Sequence, residues 1–503
     1  MAASLFAFIK EDVFTLLFNS LEFMVFFTLV CLIYFLIPKR FKKYQLIIAS
    51  YIFYISWNPS FSLLLLLSTI TTFLSGLYLD KFKKQSVRKA VLVSTAVINF
   101  GLLFLFKYYN MFTSSLVLLL GNLGINAVIP SFSLLLPMGI SFFTLQAMGY
   151  AIDVYKRTLP VENNFFSYIL FVSFFPQLVA GPIGRANSIL DQINEPKSFD
   201  YSSVTLGLKM MAIGFFKKIV IADTIVIQVN LVFNQIPANN SASFIVATVL
   251  YAFQLYCDFS GYSDIAIGSA KILGIDLMTN FNRPYFSQNI SDYWHRWHIS
   301  LSSWLRDYLY FPLGGSRVSN LRWCFNIVVV FFASGLWHGA DWSFVVWGLI
   351  SAVYLIVGKF TTPFRNIVTE LIRLDRVPKL HSLFKGLITF ALVCVSWVFF
   401  RVDSLGDALL IYRTIFSNLK GLLSPSSINT MLRASSLQQD GLITSAIFIL
   451  TVIIYDVIDL KLGFWNIITK LKPALRLAFY CVFVYAIFWL ASTTTNEFIY
   501  AQF

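Results

Sequence analysis

Residues Phe61–Leu79 read FSLLLLLSTITTFLSGLYL, nineteen consecutive positions without a charged side chain. At about 1.5 Å of rise per residue, a helix of roughly this length crosses the ~30 Å hydrocarbon layer of a bilayer. Working outward, uncharged runs of the same kind, some shorter, recur at Phe23–Ile37, Ala90–Phe106, Phe244–Cys257, Cys324–Leu336, Gly386–Phe400, Leu442–Tyr455 and Ala478–Ala491. Less uniform runs lie near Tyr44–Trp57, Leu134–Tyr155, Phe165–Val179 and Val204–Val229. Together they predict an all-α, polytopic membrane helical bundle with roughly a dozen spanning or re-entrant helices.

Composition agrees. Hydrophobic residues are 58% of the 503 and charged residues 12%, with a mean hydropathy of +0.73. A soluble domain carries about a quarter charged residues. The formal charge of +14 is read as basic cytoplasmic loops rather than a nucleic-acid surface. Five scattered cysteines, Cys31, Cys257, Cys324, Cys394 and Cys481, have no metal or redox spacing and read as buried thiols. Lys10, Glu11 and Asp12 interrupt the first apolar stretch, which therefore does not read as a cleavable signal peptide.

Two basic loops set the orientation. Lys39, Arg40, Lys42 and Lys43 follow the first span; Lys81, Lys83, Lys84, Arg88 and Lys89 follow the third. Both belong in the cytoplasm by the positive-inside rule, joined by a hairpin turning at Asn58-Pro59-Ser60. The N-terminus is then expected outside. Lys470, Lys472 and Arg476 precede the last span, which puts the tail Asn496–Phe503 outside too. The polar interval Val402–Gly441 reads as a loop with an amphipathic interfacial helix carrying Ala408, Leu409, Tyr412, Ile415 and Phe416. The whole chain, 1–503, is read as one membrane domain.

Ionisable groups inside a membrane protein are costly and mark pathways or sites. The densest cluster runs from Asp258 to Asp341. Its first part, Asp258–Asp264, admits two readings: a site in which Asp258, Ser260 and Tyr262 project together, or a turn satisfied by local Asp and Ser hydrogen bonds. In the second part, Asp292–Tyr310, the residues Trp294, Trp297, Leu301, Trp304, Leu305 and Tyr308 recur at helical steps, opposite Arg296, Ser300, Ser303 and Asp307. This predicts one amphipathic helix, functional or merely interfacial. His295 and His298 have the spacing to share a metal, but no third ligand follows, so no metal is expected. In the third part His338 ends an apolar run, flanked by Gly335, Gly339 and Ala340, which leave room for an approaching group. Its imidazole suits general-base chemistry near neutral pH; a hydrogen-bonded structural histidine is the plainer alternative.

An ordered set of motifs now carries a resemblance: Leu136–Thr144, Phe175–Ile183, Phe215–Asp223, Asp258–Asp264, Arg296–Ser302, Arg306-Asp307-Tyr308 with Pro312–Gly315, Gly335–Gly339 and Trp397–Arg401. The chain resembles the membrane-bound O-acyltransferase family, in particular its bacterial alginate O-acetylation branch, with the teichoic acid D-alanylation proteins as cousins. The resemblance implies a helical bundle around a central tunnel, His338 as the main catalytic residue and His298 as a second functional histidine.

It implies further that Phe498–Phe503 (FIYAQF) is a C-terminal tail whose Tyr500 relays the acyl group; many members have an aromatic where Ala501 stands. An ordinary interfacial aromatic is the alternative for Tyr500. Candidate substrate-binding residues are Trp337, Asp258, Tyr262, Arg296, Arg306, Lys217 and Lys218, with Lys217, Lys218, Arg317 and Arg322 as candidates for donor phosphates. The expected reaction takes acetyl from cytoplasmic acetyl-CoA, without a bound cofactor. An extracytoplasmic partner transferase, SGNH-hydrolase-like by the resemblance, then acetylates a polysaccharide. The expected location is the bacterial cytoplasmic membrane, in contact with lipid. D-alanyl or another acyl cargo, or a transporter, are the competing readings.

Overall fold

The structure, a computed structural model, describes residues 16–132, 135–179 and 181–491. Every regular element among them is helical. Among the described residues, eight helices are long and apolar enough to cross a membrane: Pro59–Lys81, Gln85–Asn122, Ser241–Ile272, Asn320–His338, Trp342–Phe360, Pro378–Arg401, Gln439–Leu462 and Pro473–Leu490. The protein is a multi-pass, all-α membrane protein. Other apolar runs form shorter helices, among them Leu21–Leu36, Ile140–Lys156 and Phe165–Ser173.

The stretch at 61–79 sits inside Pro59–Lys81. Asn58 caps that helix by accepting from the Ser60 amide, and Pro59 takes the first turn, where its missing N–H costs nothing.

The chain forms two compact units, residues 1–211 with 262–279, and 212–261 with 280–503. In the first, buried polar groups tie the helices together. Ser68 donates to Asn99 Oδ1 at 2.6 Å and Tyr168 to Thr72 Oγ1 at 2.8 Å. The motifs at 136–144 and 175–183 meet here. Gly139, at φ 74°, starts Ile140–Lys156, and a Cβ on it would run into the Leu178 carbonyl. Its lack of a side chain is required twice, by backbone conformation and by space.

In the second unit the helices Asn320–His338 and Trp342–Phe360 form a tight hairpin. A Cβ on Gly335 would lie 2.5 Å from the Phe344 carbonyl, and one on Gly339 would enter the Phe344 ring. The expectation that these glycines open space beside His338 is therefore corrected. They let two helices approach closely, the usual role of small residues in membrane bundles, and Phe344 fills the space.

Two other expectations change. Asp292–Tyr310 is not one helix: Ile290–Arg296 ends at Trp297, His298 takes a left-handed conformation, and Ile299–Leu305 begins anew. Asp258–Asp264 is not a turn but lies within the continuous helix Ser241–Ile272. In the polar interval, Leu405–Ser417 is helical as expected and is followed by a second helix, Pro425–Arg433. The first buries Ala408 and Ile411 and exposes Leu409 and Phe416.

Candidate active site

The site grows from the break at His298. A non-glycine residue at φ 45°, ψ 55° costs on the order of 1 kcal/mol and persists only when its surroundings hold it. Asn280, fully buried, does the holding. Its carbonyl accepts the Ile299 amide at 2.9 Å. Its Oδ1 accepts from the Ser300 amide at 3.2 Å and the Ser300 hydroxyl at 3.0 Å. The Arg296 carbonyl accepts from Asn282 N at 2.9 Å.

The break buries His298 to 1% exposure, and His338, on the last turn of Asn320–His338, to 2%. Their ring centroids lie 6.1 Å apart, tilted by 54°. Aromatic rings wall both. Phe259 and Trp337 stand 4.7 and 5.5 Å from His298; Trp337, Trp347 and Phe400 stand 4.9, 4.9 and 5.3 Å from His338. Burial among them pushes the His298 pKa down to about 3 from 6.5, because a charged imidazole loses its hydration there. At neutral pH His298 is uncharged, so one ring nitrogen donates and the other accepts.

A buried ionic cluster occupies the same unit. Lys218 Nζ bridges Asp223 at 2.9 Å and Asp258 at 2.6 Å. It joins the 215–223 motif to the Asp258–Asp264 motif, where a Cβ on Gly261 would lie 2.7 Å from the Gly214 carbonyl. Lys217 lies over the rings of Tyr256 and Tyr455 at 5.7 and 5.5 Å, and Tyr256 donates to Asp456 at 3.1 Å.

The structure therefore brings together His298, His338 and Trp337, and separately Lys218 with Asp258. Tyr262 belongs to the first unit, its ring edge-on to Phe18 at 4.8 Å. Arg296 and Arg306 each pair with a neighbouring carboxylate, Asp292 at 2.7 Å and Asp307 at 2.9 Å. Arg317 and Arg322 are exposed. His295 is exposed, its Nδ1 2.6 Å from the Ser291 carbonyl, so the break leaves His295 in solvent contact and His298 buried. No cluster of three His, Cys, Asp or Glu suited to a metal occurs among the described residues. Tyr500 and the tail 498–503 lie outside the described residues. Sequence reasoning does not single out Asn280, Trp347 or Phe281, whose ring stacks 6.5 Å from that of His298. Their only signal is that they are a polar residue and aromatics within a polar-rich region.

His298 and His338 thus lie buried together among aromatic rings, and similarity to known proteins gives the class to which the chain belongs. The membrane-bound O-acyltransferase family matches residues 156–375. The probable alginate O-acetylase of Pseudomonas aeruginosa is 35% identical over 405 residues, covering 80% of this chain and 75% of that one. The peptidoglycan O-acetyltransferase of Helicobacter pylori is 35% identical over 465 residues, 85% and 83% of the two chains. A teichoic acid D-alanyltransferase of Bacillus subtilis is 29% identical over 243 residues, 46% of this chain and 61% of that one. The chain belongs to the membrane-bound O-acyltransferase family. It is an O-acyltransferase.

Proposed function

We propose that the protein takes an acetyl group from acetyl-CoA on the cytoplasmic side and delivers it for O-acetylation of an extracytoplasmic polysaccharide. The observation that carries this reading is the pair of buried rings at His298 and His338, 6.1 Å apart. A ring nitrogen lies ~1.2 Å from its centroid, so two ~2.9 Å hydrogen bonds to one oxygen allow centroids up to ~8 Å apart. The two rings are therefore close enough for one hydroxyl or carbonyl oxygen to bond both.

In this mechanism His338 removes the proton of the acceptor hydroxyl as its oxygen attacks the thioester carbonyl. The carbon–sulfur bond breaks, and the proton passes to the departing thiolate, leaving free CoA. Neutral His298 donates a hydrogen bond to the oxyanion of the tetrahedral intermediate, where a fixed donor in a dry site stabilises charge most. Trp337, beside both rings, orients the acyl group. Lys217 and Lys218, with Asp258, shape the donor's path. Arg296 and Arg306 are further substrate-binding candidates in the second unit, and Tyr262 is a candidate in the first unit.

The acceptor is Tyr500, giving an acetyl-tyrosine on the outer side, from which a partner transferase moves acetyl to the sugar. This route solves a physical problem: CoA carries phosphates that cannot cross hydrocarbon, whereas a small neutral acetyl group passes along a tunnel through the bundle. The protein then resides in a bacterial cytoplasmic membrane with both termini outside. The relatives' names support acetyl as the cargo, since the two O-acetylating relatives align over more of the chain than the D-alanyltransferase.

The test is incubation of purified full-length protein with acetyl-CoA labelled in the acetyl group, followed by peptide mapping. Label on the tail supports the relay. Label accepted only from a D-alanyl carrier protein overturns the choice of donor.

A further inference from the structure

The first unit holds a cleft of about 780 Å³ outside the acyl-transfer site, lined by Lys39, Arg40, Lys43, Glu195, Lys197 and Asp200 among others. That volume suits a small-molecule headgroup. We infer that this cleft binds the phosphate of an anionic phospholipid headgroup at the membrane interface.

The charge arrangement is the first reason. Lys39, Arg40, Lys42 and Lys43 crowd the first turns of the helix Lys39–Ile55, which has no acid in its first turn and no side-chain cap at Pro38. A helix N-terminus carries partial positive charge, so cations there are unfavourable unless an anion joins them. Two of the four are held by the protein. Lys42 is buried, its Nζ donating to the Lys197 carbonyl at 3.0 Å and lying 4.3 Å over the Tyr34 ring. Lys43 donates to Ser167 Oγ at 2.9 Å. Among the described residues, no acid pairs with Lys39, Arg40 or Lys197.

The acids of the cleft do not cancel this excess. Asp200 is committed to the start of the helix Tyr201–Phe215, accepting from Ser202 Oγ at 2.6 Å and from Ser203 N at 2.9 Å. The lining thus sets two acids, Glu195 and Asp200, against four cations, Lys39, Arg40, Lys43 and Lys197, an excess of two positive charges. Lys197 is held close by Gly274, at φ 82°, where a Cβ would lie 3.1 Å from the Lys197 Cβ.

The lip of the cleft distinguishes a lipid from a soluble phosphate. Leu36, Phe41, Phe199 and Tyr201 flank the lining residues and are exposed, Leu36 by 82% and Tyr201 by 75%. Phe35 and Phe199 meet edge to face at 5.2 Å. Aromatics beside lysine and arginine are the composition of a membrane–water interface, and basic pockets between helices at the cytoplasmic face take anionic headgroups. A headgroup bound here keeps its acyl chains against this apolar rim.

The experiment uses the purified full-length protein in neutral detergent, with melting temperature read against added dioleoyl phosphatidylglycerol, dioleoyl phosphatidylcholine, inorganic phosphate or CoA. Phosphatidylglycerol is expected to raise the melting temperature in a saturable way while the other three do not. The triple variant Lys39→Gln/Arg40→Gln/Lys197→Gln should weaken that binding about a hundredfold, roughly fivefold per charge. Glu195→Gln should tighten it severalfold. Unchanged phosphatidylglycerol binding in the triple variant overturns the site. Equal protection by phosphate or CoA overturns its assignment to lipid. Were the triple variant to melt lower without lipid, Glu195→Gln decides alone, and no gain in affinity there rejects the inference.

Discussion

The rings of His298 and His338 stand 6.1 Å apart although the two residues are forty positions apart in sequence, and each reaches the other by a different route. His338 arrives on the last turn of a long apolar helix; His298 arrives on a backbone break clamped by Asn280. If the two act on one oxygen, their losses overlap rather than add. His338→Ala should reduce acetyl transfer by about 10²- to 10⁴-fold, and His298→Gln by less. The double variant should be little worse than His338→Ala. Turnover assays with labelled acetyl-CoA on protein of verified membrane content check this; wild-type turnover in His338→Ala rejects the base.

Acid should unfold this protein in part through His298. Its folded pKa of about 3 lies below the ordinary 6.5, so the folded state holds fewer protons than the unfolded state between those values. The stability it confers is complete above pH 6.5 and is lost as pH falls toward 3, by up to about 1.4 kcal/mol per pH unit. His298→Gln should flatten the stability profile between about pH 6 and 4. A slope equal to that of the wild type would count against burial as the cause.

Lys218 bridges two buried carboxylates. Lys218→Met removes the cation that bridges Asp223 and Asp258, and breaking a buried ion pair in this way costs about 3–5 kcal/mol. The expected readout is a sharply lower melting temperature. Adding Asp258→Asn to Lys218→Met should recover part of the loss, since it removes one of the two buried carboxylate charges. No recovery would argue that Asp223 alone sets the penalty.

Two glycines make a paired test of the hairpin. Gly335→Ala forces a methyl to within 2.5 Å of the Phe344 carbonyl and should cost about 1–3 kcal/mol by overpacking, shifting His338 and lowering turnover. Gly358, in the same hairpin, has no neighbouring atom within 4 Å of where an alanine methyl would stand, so Gly358→Ala should be neutral or slightly stabilising. Equal melting temperatures for the two variants would contradict the close approach.

Tyr500→Phe keeps the ring and removes the hydroxyl. If Tyr500 carries the acyl group, polysaccharide acetylation in cells should fall to the level of His338→Ala, with the protein still in the membrane. Unchanged acetylation rejects Tyr500 as the carrier.

Much of the architecture is legible in local sequence because a bilayer imposes a simple demand. A run such as Phe61–Leu79 must satisfy its own backbone hydrogen bonds, so it forms a helix. The Asn58-Pro59 start is equally local, a cap and a first-turn proline. The break at Trp297-His298 is not. The tryptophan stripe from 294 to 304 keeps helical spacing through it, and the groups that impose the break come from Asn280 and Asn282, well outside that window. Gly335 and Gly339 mislead for a similar reason: a glycine's lack of side chain is visible in sequence, but what fills the space, here Phe344, is set by another helix. Lys218 and Asp258 are each conspicuous in sequence; their pairing needs the fold, since they stand forty positions apart.

The first compact unit is assembled from residues 1–211 and 262–279, with residues 212–261 of the second unit threaded between them in sequence. A ribosome makes a chain in order, and domains generally fold as they emerge. This unit therefore lacks part of its own core until residue 279 has been synthesised, by which time the lysine and both aspartates of the ionic cluster already exist. Neither unit can be cut out as one continuous fragment, and a nascent chain stalled before residue 262 carries a cation and its carboxylates ahead of the segment that completes the older half.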